Sequence, residues 1–347
     1  MKKKIVIIST VVIALIALVM LAILGFKAYD HIRYNDFYDV ANREFYIPGL
    51  MDGFVPQGFD YVEEEKVFIA CGYMNDDEEA SRVYVISEDG DEFHYVELVD
   101  VNGDPYTGHT GGIAYYEEYA YITGATGIDV FELGEILKPG KDSRAFCRGS
   151  ISTEAYDIDP AFCFVYDGEL YTGEFQDDGD YQTDKKHHDP AKTGDTNKAL
   201  MVSFGLSSYY NEADEGRGRF YVEPLPSAMY SIPSRVQGVC VADGKMFLST
   251  SWGLDPSNIY VYDLEKVMGA VNSTYAKNTY GVTIPLYFVN SLAHIDTIEA
   301  PPMAEEIVFH DGKLWIFNES GSNKYIFGKF TTGNYLYSYN YPQPVEE

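Results

Sequence analysis

Basic residues are scarce in this chain: 25 Lys and Arg stand against 54 Asp and Glu in 347 residues. Three of the 25, Lys2, Lys3 and Lys4, sit at the amino terminus, so residues 27–347 carry 22 basic against 54 acidic groups, a formal charge of −32. A surface this acidic repels phosphate backbones and anionic headgroups, which excludes nucleic acid as a partner and electrostatic docking onto a bilayer. It suits solubility in a salty or cation-rich exterior, and a cation-binding role is the sharper alternative. Cysteine is rare as well. Cys71, Cys147, Cys163 and Cys240 have no CxxC spacing, which excludes a zinc site of that kind. They fall in apolar runs and are expected to be free buried thiols, although export would permit bridges. Amphipathic helical patterning is nearly absent beyond residue 42. No phosphate-binding glycine loop, G-x-S-x-G elbow or HExxH motif occurs, so these nucleotide-binding, esterase and metalloprotease signatures are excluded.

What is present begins with an apolar run over residues 5–26, interrupted only by Ser9 and Thr10. At about 1.5 Å per helical residue it spans the roughly 30 Å hydrocarbon core of a bilayer. A cleavable signal peptide has a shorter apolar core, roughly 7–15 residues, and a small-residue cleavage site. This run ends Leu24-Gly25-Phe26-Lys27 with no such site. The expectation is an uncleaved signal-anchor over residues 1–26, with the lysine stub in the cytoplasm and the remainder outside the cell membrane. Residues 27–42 read as a juxtamembrane linker and 43–347 as one ectodomain.

That ectodomain is rich in strand formers and turn formers, with 31 Tyr, 20 Phe and 31 Gly in the chain. Residues 234–264, SRVQGVCVADGKMFLSTSWGLDPSNIYVYDL, read as an apolar strand, an Asp243-Gly244 turn, a second strand, a loop and a third strand. Asp-Gly between two such runs is the strongest short-range hairpin signal. Four other stretches repeat the layout, two with Asp-Gly turns (Asp167-Gly168, Asp311-Gly312) and two with acidic ones. VFELGEIL and VYDLEKVM each add a helical turn after a third strand. Repeats of roughly 40–60 residues built from short strands predict an all-β fold, a β-propeller of five blades, or of six if residues 269–300 hide a degenerate repeat. Outer strands are expected at 93–101, 145–152, 219–224 and 286–298. Residues 43–48 or 336–341 compete to close the ring. The polar stretch 176–198 reads as a long loop inserted in the third repeat.

In a propeller the segments entering the innermost strands form one mouth of the central channel. Here they carry Gln57, His109, Asp159, Arg235, Gln237, Glu305 and Glu306. A base, acids and amides converging from different blades are what a hydrolase needs, with Glu305 or Glu306, Asp159 and His109 as the catalytic candidates. The competing reading is that these groups pair among themselves and with water to fill a polar channel. Gln57, Arg235 and Gln237 are the binding candidates on the same segments. The ends of the second strands supply Tyr73, Glu174, Trp252, Asn318 and Glu319, with Tyr73 and Trp252 placed to stack on sugar rings or else to wedge between blades. His187-His188-Asp189, with Asp177, Asp178, Asp180 and Asp184, resembles a loose metal cluster but lacks EF-hand spacing. No cofactor is predicted, with a divalent cation such as calcium the one left open.

The motifs VPQGFDY, SRVQGVCVADGKMFLSTS and MAEEIVFHDGKLWIFNESGSNKY resemble those of exported, membrane-anchored bacterial β-propellers and, more distantly, of NHL, YncE-like and SMP-30 (gluconolactonase-like) propellers. The resemblance covers residues 43–340 and implies the fold. Its metal-dependent lactonase members imply a Glu, Asn residues and an Asp around a divalent ion, for which Glu305 or Glu306 and Asp159 would stand, with Gln57 and Gln237 where asparagines are expected. The leading expectation is a binding or scaffold module at the cell surface, with a glycan or protein ligand. The rivals are a glycoside hydrolase or lactonase-like hydrolase, and a purely structural ectodomain of a membrane complex.

Overall fold

The computed structural model describes residues 2–125, 127–138, 140, 143–188, 190–206, 220–222, 224–277, 282–325, 328–331 and 333–342. Its first element is α1 (Lys2–Arg33). Within it Ile8–Arg33, 26 residues, is long and apolar enough to cross a membrane. Leu15, Leu18 and Leu21 on this helix are all exposed. Length and composition fit a membrane anchor or a signal sequence alike. The helix does not give way to a loose linker: Tyr34 N–H donates to the Asp30 carbonyl and Tyr38 N–H to the Tyr34 carbonyl, both at 3.0 Å, leading into α2 (Asn35–Val40). Phe37 of α2 is buried against Tyr337 and Tyr339, with ring centroids 5.7 Å apart in each case.

Strands make up the rest. β1 (Ala41–Tyr46) comes first, then an antiparallel quartet in chain order, β2 (Phe54–Val62), β3 (Val67–Met74), β4 (Arg82–Ser87) and β5 (Phe93–Val99). The second quartet is β6 (Ile113–Tyr116), β7 (Tyr119–Gly124), β8 (Gly127–Glu132) and β9 (Arg144–Ser152), with a helical turn α3 (Leu133–Ile136) before β9. The third is β10 (Pro160–Tyr166), β11 (Glu169–Glu174), β12 (Ala199–Gly205) and, after β13 (Phe220–Val222), β14 (Ala228–Ile232). The fourth begins with β15 (Val236–Ala242), β16 (Lys245–Thr250) and β17 (Ser257–Asp263), followed by the turn α4 (Leu264–Val267). β18 (Ser273–Lys277) and β19 (Thr283–Phe288) intervene before its outer strand β20 (His294–Ala300). β21 (Ala304–His310), β22 (Lys313–Asn318) and β23 (Tyr335–Tyr339) form the last sheet, and β1 completes it, Ala41 opposite Tyr339. The two ring-closing candidates are therefore both used, one as third strand and one as fourth.

Two outer strands differ from expectation. The segment expected at 219–224 supplies β13, which runs parallel to β9 of the second quartet, and β14 takes the outer place in the third. β14 is short and buried at every position, so no polar alternation marks it in the sequence. The segment expected at 286–298 divides: β19 lies parallel to β14, whereas β20 pairs with β17.

The order is cyclic. Innermost strands β2, β6, β10, β15 and β21 each neighbour the next, and β21 returns to β2. Apolar clusters lie between successive sheets, and the last closes the circle: Phe59 of β2 stacks on Phe317 of β22 at 4.7 Å and on Phe68 at 5.0 Å. The inner strands approach so closely that a Cβ on Gly58 would lie 2.4 Å from the Ile113 nitrogen. The Asp-Gly turns adopt the left-handed pair that a two-residue hairpin requires, φ 50° and 68° at Asp243 and Gly244. All four cysteines are free and buried.

Candidate functional site

Every quartet presents the same two segments at one end of the ring: the entry to its inner strand and the exit of its second strand. The first sheet brings Gln57 and Tyr73, the second His109 and Gly124, the third Asp159 and Phe175, the fourth Gln237 and Trp252, the fifth Met303 and Glu319. Together they wall a cavity of about 640 Å³, completed by Tyr181 from the 176–198 insertion and by Lys324 and Tyr325 from the loop after β22.

A chain of hydrogen bonds crosses this cavity. Lys324 Nζ donates to the Tyr73 hydroxyl and lies 4.5 Å from the Tyr73 ring centroid. The Tyr73 hydroxyl is bonded to that of Tyr325, and Tyr325 to the Glu319 carboxylate. Glu319 also accepts from Gln57 Nε2 at 2.9 Å and shares a hydrogen bond with Glu305. Glu305, beneath the cavity floor, accepts from Gln237 Nε2 at 3.3 Å. Two carboxyls in contact cannot both be ionised in a poorly solvated site. Burial pushes Glu319 up to about 7 and Glu305 well above the carboxylate range; the Glu319 charge raises Glu305 further, whereas the hydrogen bond from Glu305 partly offsets the rise at Glu319. Glu305 is thus the harder of the two to ionise. Burial and then Lys324 push His109 down to about 4, so its ring is neutral where it lies 4.7 Å from that of Tyr73. Burial raises Asp159.

A cluster of aromatic rings lines the same cavity. Phe175 and Trp252 have centroids 5.6 Å apart, Phe175 and Tyr181 5.4 Å, and Tyr181 and Trp252 5.7 Å edge to face. The insertion that delivers Tyr181 is fastened near its start and at its middle. Asp177 accepts from Arg235 Nε at 2.8 Å, and buried His187 sits between Glu174 at 3.0 Å and the Tyr156 carbonyl at 3.1 Å.

The structure thus gathers Gln57, Tyr73, His109, Asp159, Gln237 and Trp252 at one cavity, with Glu305 directly behind it. It does not bring the other candidates there. Glu306 turns between β21 and β15, where one oxygen accepts from Val239 N–H at 3.0 Å and Ile307 N–H at 3.2 Å. Glu174 is occupied by His187 and by Leu200 N–H at 2.9 Å. Asn318 is buried in its strand, 3% exposed. Arg235 pairs with Asp177 and Asp255 and does not line the cavity. Lys324, Tyr325, Phe175 and Tyr181 escaped the sequence reading. The one signal for Tyr181 was an aromatic residue alone in a polar loop. As for metal, Asp189 of the loose cluster lies outside the described residues. Among the described residues no three His, Cys, Asp or Glu side chains converge as ligands.

Fold and site define a propeller-like β protein with a central cavity. No protein-family model matches the chain, and no curated protein does. Solved structures similar to it include an exo-β-1,3-galactanase from Phanerochaete chrysosporium with galactose, 11% identical, covering 81% of this chain and 58% of that one, with a TM-score of 0.43. A glutaminyl cyclase from Myxococcus xanthus is 10% identical over 86% of this chain and 95% of its own, TM-score 0.39. The calcium-binding protein regucalcin from Agrobacterium tumefaciens is 8% identical over 82% and 89%, TM-score 0.38. None of these likenesses bears on activity or ligand.

Proposed function

We propose that this protein is a membrane-anchored, five-bladed propeller that binds a cell-surface glycan in its central cavity. Each quartet is read as one blade, the β18–β19 pair as an addition to the third, and α1 as a signal-anchor that leaves the propeller outside. One observation carries the ligand class: the aromatic rings of Phe175, Tyr181 and Trp252 line the same cavity as amides, hydroxyls and carboxyls. Sugars present apolar ring faces for stacking and hydroxyls for such polar groups. The volume lies in the range of small-ligand sites, roughly 300–1,000 Å³.

The test is a glycan array probed with the full chain in detergent, beside Trp252→Ala. Retained binding by the wild type and loss by the variant support the reading, and an array without a binder defeats it. The topology is checked separately by protease treatment of intact cells, which should remove the propeller. A second reading, a glycan hydrolase, draws on Glu319, whose proton affinity suits a general base near neutral pH beside Glu305, the harder of the two to ionise. Release of shorter glycans by the wild type, abolished in Glu319→Gln, would move the protein into that class.

A further inference from the structure

A second concavity, of about 320 Å³, begins where the central one ends: Ser251 and Trp252 line both. It runs outward over the fourth quartet between Arg235 and Asp255 and is floored by Asn258 and Tyr260. Arg235 and Asp255 are joined by a hydrogen bond of 3.4 Å, and Arg235 is also tied to Asp177, so its charge is balanced on both sides. The path from the centre to the rim therefore passes an aromatic residue, Trp252, then a second one, Tyr260, with polar groups beside each. A site for a single sugar has no need of the outer half. A peptide strand would need a line of unpaired backbone groups to add to, and β17 along this path is already paired with β16 on one side and β20 on the other.

We infer that the ligand is an extended, uncharged saccharide strand, seated at one end in the central cavity and leaving it over Trp252 along the Tyr260 groove. This rests on the glycan reading above. The charge follows from the surroundings: Asp159, Asp177 and Asp255 exceed Arg235 and Lys324 by one, Glu319 stands beside them, and the chain as a whole is strongly acidic. A polyanionic strand would be repelled.

The experiment is a titration of the full chain in detergent with β-1,4-linked glucose and N-acetylglucosamine oligomers of two to six sugars, with oligogalacturonate as the acidic counterpart. Affinity for a neutral series is expected to rise by about tenfold or more with length, equivalent to about 1.4 kcal/mol, and to exceed that for the acidic strand. Tyr260→Ala should flatten the length dependence while leaving the disaccharide affinity unchanged. Because Tyr260 is partly buried, Asp255→Arg, an exposed change that crowds the same groove, should do likewise in a protein with unaltered melting. Equal affinity at every length, tighter binding of the acidic strand, or length dependence untouched in both variants overturns the inference. Array binding confined to single or branched sugars, with neither neutral series bound, also overturns it while sparing the glycan reading. An array with no binder removes both.

Discussion

Gln57 Nε2 donates to Glu319 Oε2 at 2.9 Å, joining residues 262 positions apart in the chain. This contact ties the first sheet to the last, and it does so at the cavity rather than in the core. Closure of the ring and assembly of the site are thus one event. A change that loosens the junction between the last and first sheets should disturb both.

The raised carboxyls make stability depend on pH in an unusual direction. Burial pushes both Glu319 and Asp60 up to about 7, from ordinary values of 4.5 and 3.8. Between those ordinary values and 7 the folded protein holds protons that the unfolded chain releases. Its stability therefore falls as pH rises through that window, on the order of 1 kcal/mol per unit per group. Thermal melting should be higher at pH 5 than at pH 8, and Asp60→Asn with Glu319→Gln should reduce the difference. A melting temperature that climbs from pH 5 to pH 8 would contradict this.

Phe59 lies between Phe68 and Phe317, at centroid distances of 5.0 and 4.7 Å, and is 1% exposed. Removing it opens a cavity where the ring of sheets closes. Phe59→Ala should cost about 3–5 kcal/mol in denaturant unfolding. A loss under 1 kcal/mol would mean that the junction repacks or contributes little.

At Gly238 a Cβ would lie 2.2 Å from Glu306 Oε1 and 2.6 Å from the Glu306 Cα. The second contact is with backbone, so β15 and β21 themselves must separate. Gly238→Ala should destabilise by about 1–3 kcal/mol or more, and adding Glu306→Ala should not restore the loss. Recovery in the double variant would place the conflict in the side chain alone.

His187 is 2% exposed and has an acceptor at each nitrogen, Glu174 and the Tyr156 carbonyl. Both nitrogens are thus held by hydrogen bonds that fix the ring between β11 and the segment before β10. His187→Ala leaves Glu174 buried without that partner and should cost about 1–3 kcal/mol. It should also expose the 176–198 insertion to limited proteolysis and weaken glycan binding through Tyr181. An insertion as protease-resistant as in the wild type would show that Asp177 and Arg235 suffice to hold it.

Much of this was legible in local sequence. Asp167-Gly168, Asp243-Gly244 and Asp311-Gly312 announced hairpins because few other pairs tolerate two successive left-handed residues. Leu133 and Leu264 began the helical turns at corresponding places because each apolar anchor is buried or nearly so below its turn. The outer strands were less legible. β13 and β14 differ in partner, not in pattern, and an edge strand's partner depends on which neighbour twists towards it.

The chain by itself determined the apolar helix, the strand content, the hairpin turns and the ends of strands at which a mouth would form. These rest on period, propensity and turn stereochemistry, which act within about ten residues. Tertiary structure alone decided that β1 completes the last sheet, that Arg235 pairs with Asp177, and that Lys324 and Tyr325 reach the cavity. It also decided that Glu305 meets Glu319. Those outcomes depend on which surfaces lie within a few ångströms once the ring is closed, and no local pattern encodes that distance.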